Sequence, residues 1–246
     1  DNVIDYNKLS VAISSPRGCN GTGIYIQGLM DPPPVASGLI QGNTIAFNGF
    51  EGTRCRGGGL RLRIADSVII KNNRFEGNTA TDGGALYSHT NTNCLISNNS
   101  IINNETTNRG GGIYSRNSNL SMTNNIFSQN RADTGGGMAI EKILDDQWGD
   151  YEIINNTIAE NSGNYGSGIA CKDVVATIKN NILWNNTDGK QILNDLSNGT
   201  IIVSYSDIQG GQDGVNNLGS SMLIWQDGNI DADPLFTLAP DAGPDG

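Results

Sequence analysis

Few side chains in this sequence are equipped for chemistry, and those that are recur at related places. Counting four residues beyond the last glycine of each glycine group gives the column Gln27, Arg63, Ser88, Arg116, Glu141, Lys172 and, less regularly, Asp195. His89, the chain's one histidine, stands beside it. Cleaving an acidic sugar polymer by elimination needs a cation against the substrate carboxylate and a base for the neighbouring proton. Arg116 and Lys172 could fill those roles, with Arg63 and His89 close by. Hydrolysis would instead need two carboxylates flanking the bond; Glu141 and Asp195 fall two repeats apart, near the upper end of the roughly 6.5 to 9.5 Å that inverting enzymes use. From Arg116 to Asp195 the column also alternates in sign, as a cross-strand ion-pair ladder does, each step worth roughly 0.2 to 1 kcal/mol. The ladder is the stronger reading.

The segment after Glu141 is longer than its counterparts and holds Asp145, Asp146, Trp148 and Asp150. Insertions in repeat proteins collect on one functional face. Trp148 offers a flat surface to a sugar, with Tyr114 and Glu141 as further contacts, and the three aspartates are a candidate Ca²⁺ site. No other cofactor is expected: His89 has no His or Cys partners at zinc spacing. Cys19 and Cys55 each lie four residues before the last glycine of their repeat, so stacking would bring them near 4.8 Å apart, within disulfide range. That bond would fit an oxidising, extracellular compartment. Cys94 and Cys171 read as small core residues.

These positions acquire meaning from an internal repeat. Asn43, Asn73, Asn99, Asn125, Asn156, Asn181 and Ser206 are separated by 30, 26, 26, 31, 25 and 25 residues, and each is followed two positions later by an apolar residue. Five residues beyond the asparagines stand Asn48, Asn78, Asn104, Asn130, Asn161 and Asn186. A glycine group then precedes an apolar residue, as in Gly57-Gly58-Gly59-Leu60, Gly83-Gly84-Ala85 and Gly110-Gly111-Gly112-Ile113. Between these marks the pattern has period two, the signature of strands. Val68/Ile70, Cys94/Ile96 and Leu120/Met122 should point inward before the asparagines, as should Leu60/Leu62, Ala85/Tyr87 and Ile113/Ser115 after the glycines. Asparagine tolerates left-handed backbone angles and can bond its own kind in the next coil; glycine accepts positive φ. The expected fold is all-β: a right-handed parallel β-helix with three short strands per coil and about seven to eight coils. It forms one domain over residues 1–246, with clear repeats from about 20 to 210 and a C-terminal coil or extension over 211–246.

The repeats resemble the pectin-lyase-like parallel β-helix superfamily. The runs at 83–86 and 111–114, with Phe75-x-x-Asn78 and Phe127-x-x-Asn130, are similar to repeats of polymorphic outer-membrane proteins and other bacterial surface proteins. That resemblance implies surface display, adhesion or polysaccharide processing. A net charge of −10 argues against a nucleic-acid partner, and no apolar run approaches the roughly 20 residues of a membrane span. A sequence that opens at Asp1 and closes in a turn-like Asp245-Gly246 suggests a processed piece of a secreted protein. The sequence therefore points to a non-catalytic extracellular or cell-surface module, an adhesin, scaffold or filament subunit. Its partners would be polysaccharide or a neighbouring cell surface. Open strand edges at either end would permit head-to-tail self-association. A lyase or glycoside hydrolase acting on acidic polysaccharide is the alternative.

Overall fold

A computed structural model describes residues 2–5, 23–27, 37–49, 55–91, 93–143, 149–195 and 198–237. The chain winds as a right-handed solenoid whose strands pair in parallel with their counterparts one coil away. The nine-stranded sheet runs from Asn2–Asp5 to Met222–Trp225, the seven-stranded sheet from Thr44–Ala46 to Asp207–Ile208, and the eight-stranded sheet from Ile24–Gln27 to Val215–Asn217. A short pair, Thr79–Asp82 with Glu105–Arg109, stiffens the approach to the glycines. No helix among the described residues is long and apolar enough to cross a membrane.

The core is a stack of like on like. Ile40, Ile70, Ile96, Met122, Ile153 and Ile178 line one wall, and Ile45, Phe75, Ile101, Phe127, Ile158 and Leu183 another. A three- or four-residue strand turns only one or two side chains into the core, so no coil holds itself together; burial against the coils above and below supplies the stability.

The repeated asparagines divide the corner between them. The first of each pair, Asn72, Asn98, Asn124, Asn155 and Asn180, takes the left-handed φ of 53 to 57°. The second is buried and carries the ladder: Nδ2 of Asn73, Asn99 and Asn125 donates to Oδ1 of the next coil's asparagine at 3.0 Å. The other corner repeats this, with Asn78, Asn104, Asn130 and Asn161 bonded in series at 2.9 to 3.0 Å until Gln191 Oε1 closes the row at Asn186. The amides of Asn73, Asn99, Asn104, Asn156, Asn161 and Asn181 also donate to a carbonyl of their own coil and one of the coil before, which uses the donors these buried groups carry.

One stretch corrects the sequence reading. In the strand Leu86–His89 the inward residues are Leu86 and Ser88, and Tyr87 points outward. Ala85 occupies the place that a third glycine holds elsewhere, its backbone bonded to Gly112, so the count begins one residue later. A one-residue slip in a strand exchanges its two faces. Ser88 is tolerated inside because Asn91 Nδ2 donates to its hydroxyl at 2.7 Å.

Candidate functional site

Three columns running parallel to the solenoid axis form a groove on the outer face of the eight-stranded sheet. Its floor is Tyr25, Arg61, Tyr87, Tyr114, Ala139, Ala170 and Leu193, paired in register from coil to coil. One wall is Arg63, His89, Arg116, Glu141, Lys172 and Asp195, held by the same pairings. The other is built by the residue just before the first glycine of each group: Arg56, Asp82, Arg109, Thr134 and Tyr165, linked by backbone bridges. The glycines are the reason for this wall. Each leading glycine adopts positive φ, turning the chain sharply from the wall into the floor strand.

The half of the groove nearer the N-terminus is cationic. The guanidiniums of Arg56 and Arg61 lie 5.3 and 5.9 Å from the centre of the Tyr87 ring, and Arg61 also stands 5.1 Å from Tyr25. Tyr87 in turn stacks on His89 at 6.1 Å and packs against Tyr114 at 5.4 Å. Arg56 pairs with Asp82 at 3.3 Å. Arg61, Arg63 and Arg116 pair with no carboxylate among the described residues. Burial, then Arg116, Arg63, Arg56 and Arg61, push the His89 imidazole down to about 4, so the ring is neutral at neutral pH. Burial likewise raises the Tyr87 phenol. The Tyr87 hydroxyl and the Nε atoms of Arg61 and Arg116 are buried with no hydrogen-bond partner among the described residues.

In the other half the floor drops from tyrosine to alanine. A cleft of about 260 Å³ opens over Ala139 and Ala170, bounded by Tyr114, Glu141, Tyr165, Lys172, Leu193 and Asp195. At its head the Glu141 carboxylate, 5% exposed, accepts a short hydrogen bond from the Tyr114 hydroxyl and pairs with Arg109 at 3.3 Å. Burial raises the Tyr114 phenol, and the adjoining carboxylate adds to the effect. Burial is the largest influence and works against the Arg109 charge, but Glu141, Tyr114 and Asp82 together outweigh it and hold the guanidinium further into its charged form. Tyr165, 57% exposed, stands on the rim.

Arg63, His89, Arg116 and Lys172 thus share one wall, with His89 between Arg63 and Arg116 where the sequence count had put Ser88. Glu141 separates Arg116 from Lys172. The expected ion ladder is corrected: the charges stack in register, yet among the described residues none of these neighbours reaches ion-pair distance, and Glu141 is taken instead by Arg109 from the opposite wall. Tyr114 and Glu141 come together as neighbours. Asp150 is exposed at the start of a strand in the nine-stranded sheet, away from the groove. Asp145, Asp146, Trp148 and Cys19 lie outside the described residues, as does the segment 31–34; among the described residues no group of acidic, histidine or cysteine side chains is arranged for a metal. Cys55 is buried, and Cys94 and Cys171 sit in the core as thiols outside any disulfide.

Sequence reasoning did not single out Arg56, Tyr87, Arg109 or Tyr165. Three of them were marked by position alone, since each directly precedes a leading glycine. Tyr87 was hidden by the slip at Ala85.

The fold and groove define a parallel β-solenoid with a longitudinal outer channel. Residues 2–145 match the family described as right-handed beta helix region, and the chain belongs to that family within the pectin-lyase-like superfamily. No curated protein and no solved structure gives a significant match.

Proposed function

We propose that this chain is an extracellular, non-catalytic carbohydrate-binding β-helix that lays a glycan along the groove of its eight-stranded sheet. The observation that carries the reading is the cleft over Ala139 and Ala170. A step from large to small floor residues leaves a space beside an exposed tyrosine and two charged groups, Lys172 and Asp195, that form no ion pair among the described residues, suited to a sugar ring's apolar face and hydroxyls. The carboxylate best placed to act as an acid or base, Glu141, is already engaged by Tyr114 and Arg109, which favours binding over hydrolysis.

A glycan array followed by titration of the best ligand tests this. Tyr165→Ala should weaken binding about tenfold, equal to roughly 1.4 kcal/mol, and Ala170→Trp, which fills the cleft, should abolish it. Unchanged affinity in both folded variants would sink the assignment. One observation favours elimination chemistry as a second reading: His89 is neutral and stands between Arg63 and Arg116, so a base and two cations are adjacent. Release of unsaturated uronate, followed by absorbance and lost in His89→Gln, would establish it in place of simple binding.

A further inference from the structure

The cationic half of the groove is unlike the rest of a chain that carries a net charge of −10. Arg56 and Arg61 face the Tyr87 ring and Arg63 and Arg116 flank His89, and among the described residues only Arg56 of these four is answered by a carboxylate. Like charges gathered without counter-ions cost free energy, and buried donors without acceptors cost more. Among the described residues Arg61 Nε, the Tyr87 hydroxyl and Arg116 Nε are three such donors on three successive coils of the groove. We infer that this cluster is a binding site for a tetrahedral oxyanion, a sulfate or phosphate group carried on a sugar, which supplies the acceptors and negative charge that the protein withholds.

The donor set decides between anion shapes. A carboxylate offers two oxygens in one plane. An ester sulfate or phosphate presents three oxygens in a tripod, matching donors that approach from the floor at Arg61 and Tyr87 and from the wall at Arg63 and Arg116. Guanidiniums turn on long stems, so donors occluded without a ligand can reorient toward one that settles over the Tyr87 ring. His89, uncharged, can complete the ring of donors through a ring N–H. The site deepens the carbohydrate reading by naming the substituent the glycan would carry, yet it would bind a free anion even if that reading failed.

The experiment uses the whole chain and small probes: inorganic sulfate, glucosamine 6-sulfate, glucose 6-phosphate and glucuronate, each titrated calorimetrically at low salt. Saturable binding of inorganic sulfate is expected, with the sulfated or phosphorylated sugar at least tenfold tighter than glucuronate; the tighter of the two esters identifies the natural source. Because His89 is the sole histidine, its ring proton resonances report the site directly. Its pKa should climb from about 4 toward the ordinary histidine value when sulfate is saturating, since a bound anion favours the imidazolium against Arg116, Arg63, Arg56 and Arg61. Arg61→Gln and Arg116→Gln should each weaken sulfate tenfold or more. Should either variant fail to fold, the wild-type histidine titration still decides. No saturable sulfate binding, glucuronate binding as tightly as the esters, or a histidine titration unmoved by sulfate would each overturn the site. None of these results would bear on neutral-glycan binding at the cleft, which is measured separately.

Discussion

Asn104 shows how much one side chain carries in this fold. Its amide donates to Phe75 O, Ile102 O and Asn130 Oδ1, and its own Oδ1 accepts from both the backbone N–H and the Nδ2 of Asn78. Replacing it with alanine strands two buried donors on Asn78, at about 1 to 3 kcal/mol for each unsatisfied group. Asn104→Ala should therefore lower the urea midpoint by an amount corresponding to roughly 3 kcal/mol, while Asn72→Ala, at an exposed corner, should cost less because only the left-handed backbone angle is disfavoured. Equal losses in the two variants would contradict the division of labour within the pair. That both asparagines belong to corners was legible from spacing; which one bonds and which one bends was not, since both roles suit the same residue type.

Strands in this molecule are so short that register decides everything about a side chain. Four residues from Leu86 to His89 place two side chains in the core and two in the groove. Counting from the last glycine gives the right faces where three glycines precede the strand, and the wrong ones at Ala85. The third glycine position is tight: a Cβ on Gly112 would lie 2.6 Å from Gly137 O and 3.0 Å from Ile101 Cγ2. Backbone cannot yield there as a flexible side chain would. Gly112→Ala is expected to lower the thermal midpoint measurably, by overpacking worth about 1 to 3 kcal/mol, although Ala85 occupies the equivalent place one coil away. A neutral outcome would mean that neighbouring coils shift apart locally to admit each methyl.

At the scale of the whole molecule, the coils are joined by packing and by hydrogen bonds from each coil to the next, and a Cys19–Cys55 bond would add a covalent tie between the N-terminal coils. If Cys19 and Cys55 are bonded as their spacing suggests, thiol titration without reductant should find two reactive cysteines after unfolding, Cys94 and Cys171, and four after reduction. In the folded protein neither core thiol should react, because burial pushes Cys94 up to about 11 and Cys171 to about 12. Four reactive thiols in denaturant alone would remove the bond.

The sequence by itself determined the solenoid, the two asparagine ladders, the glycine corners and the wall from Arg116 to Asp195, because each depends on spacing along the chain and every coil repeats it. What the tertiary structure alone decided is how columns from different parts of a coil face one another. Arg109 reaches Glu141 across the groove from 32 residues away, and Arg56 and Arg61 close on Tyr87 from a neighbouring coil. A repeat reveals what stacks on what, since stacking preserves position within the period. It is silent on contacts between columns, which arise from the sharp turn at each leading glycine and from side-chain length.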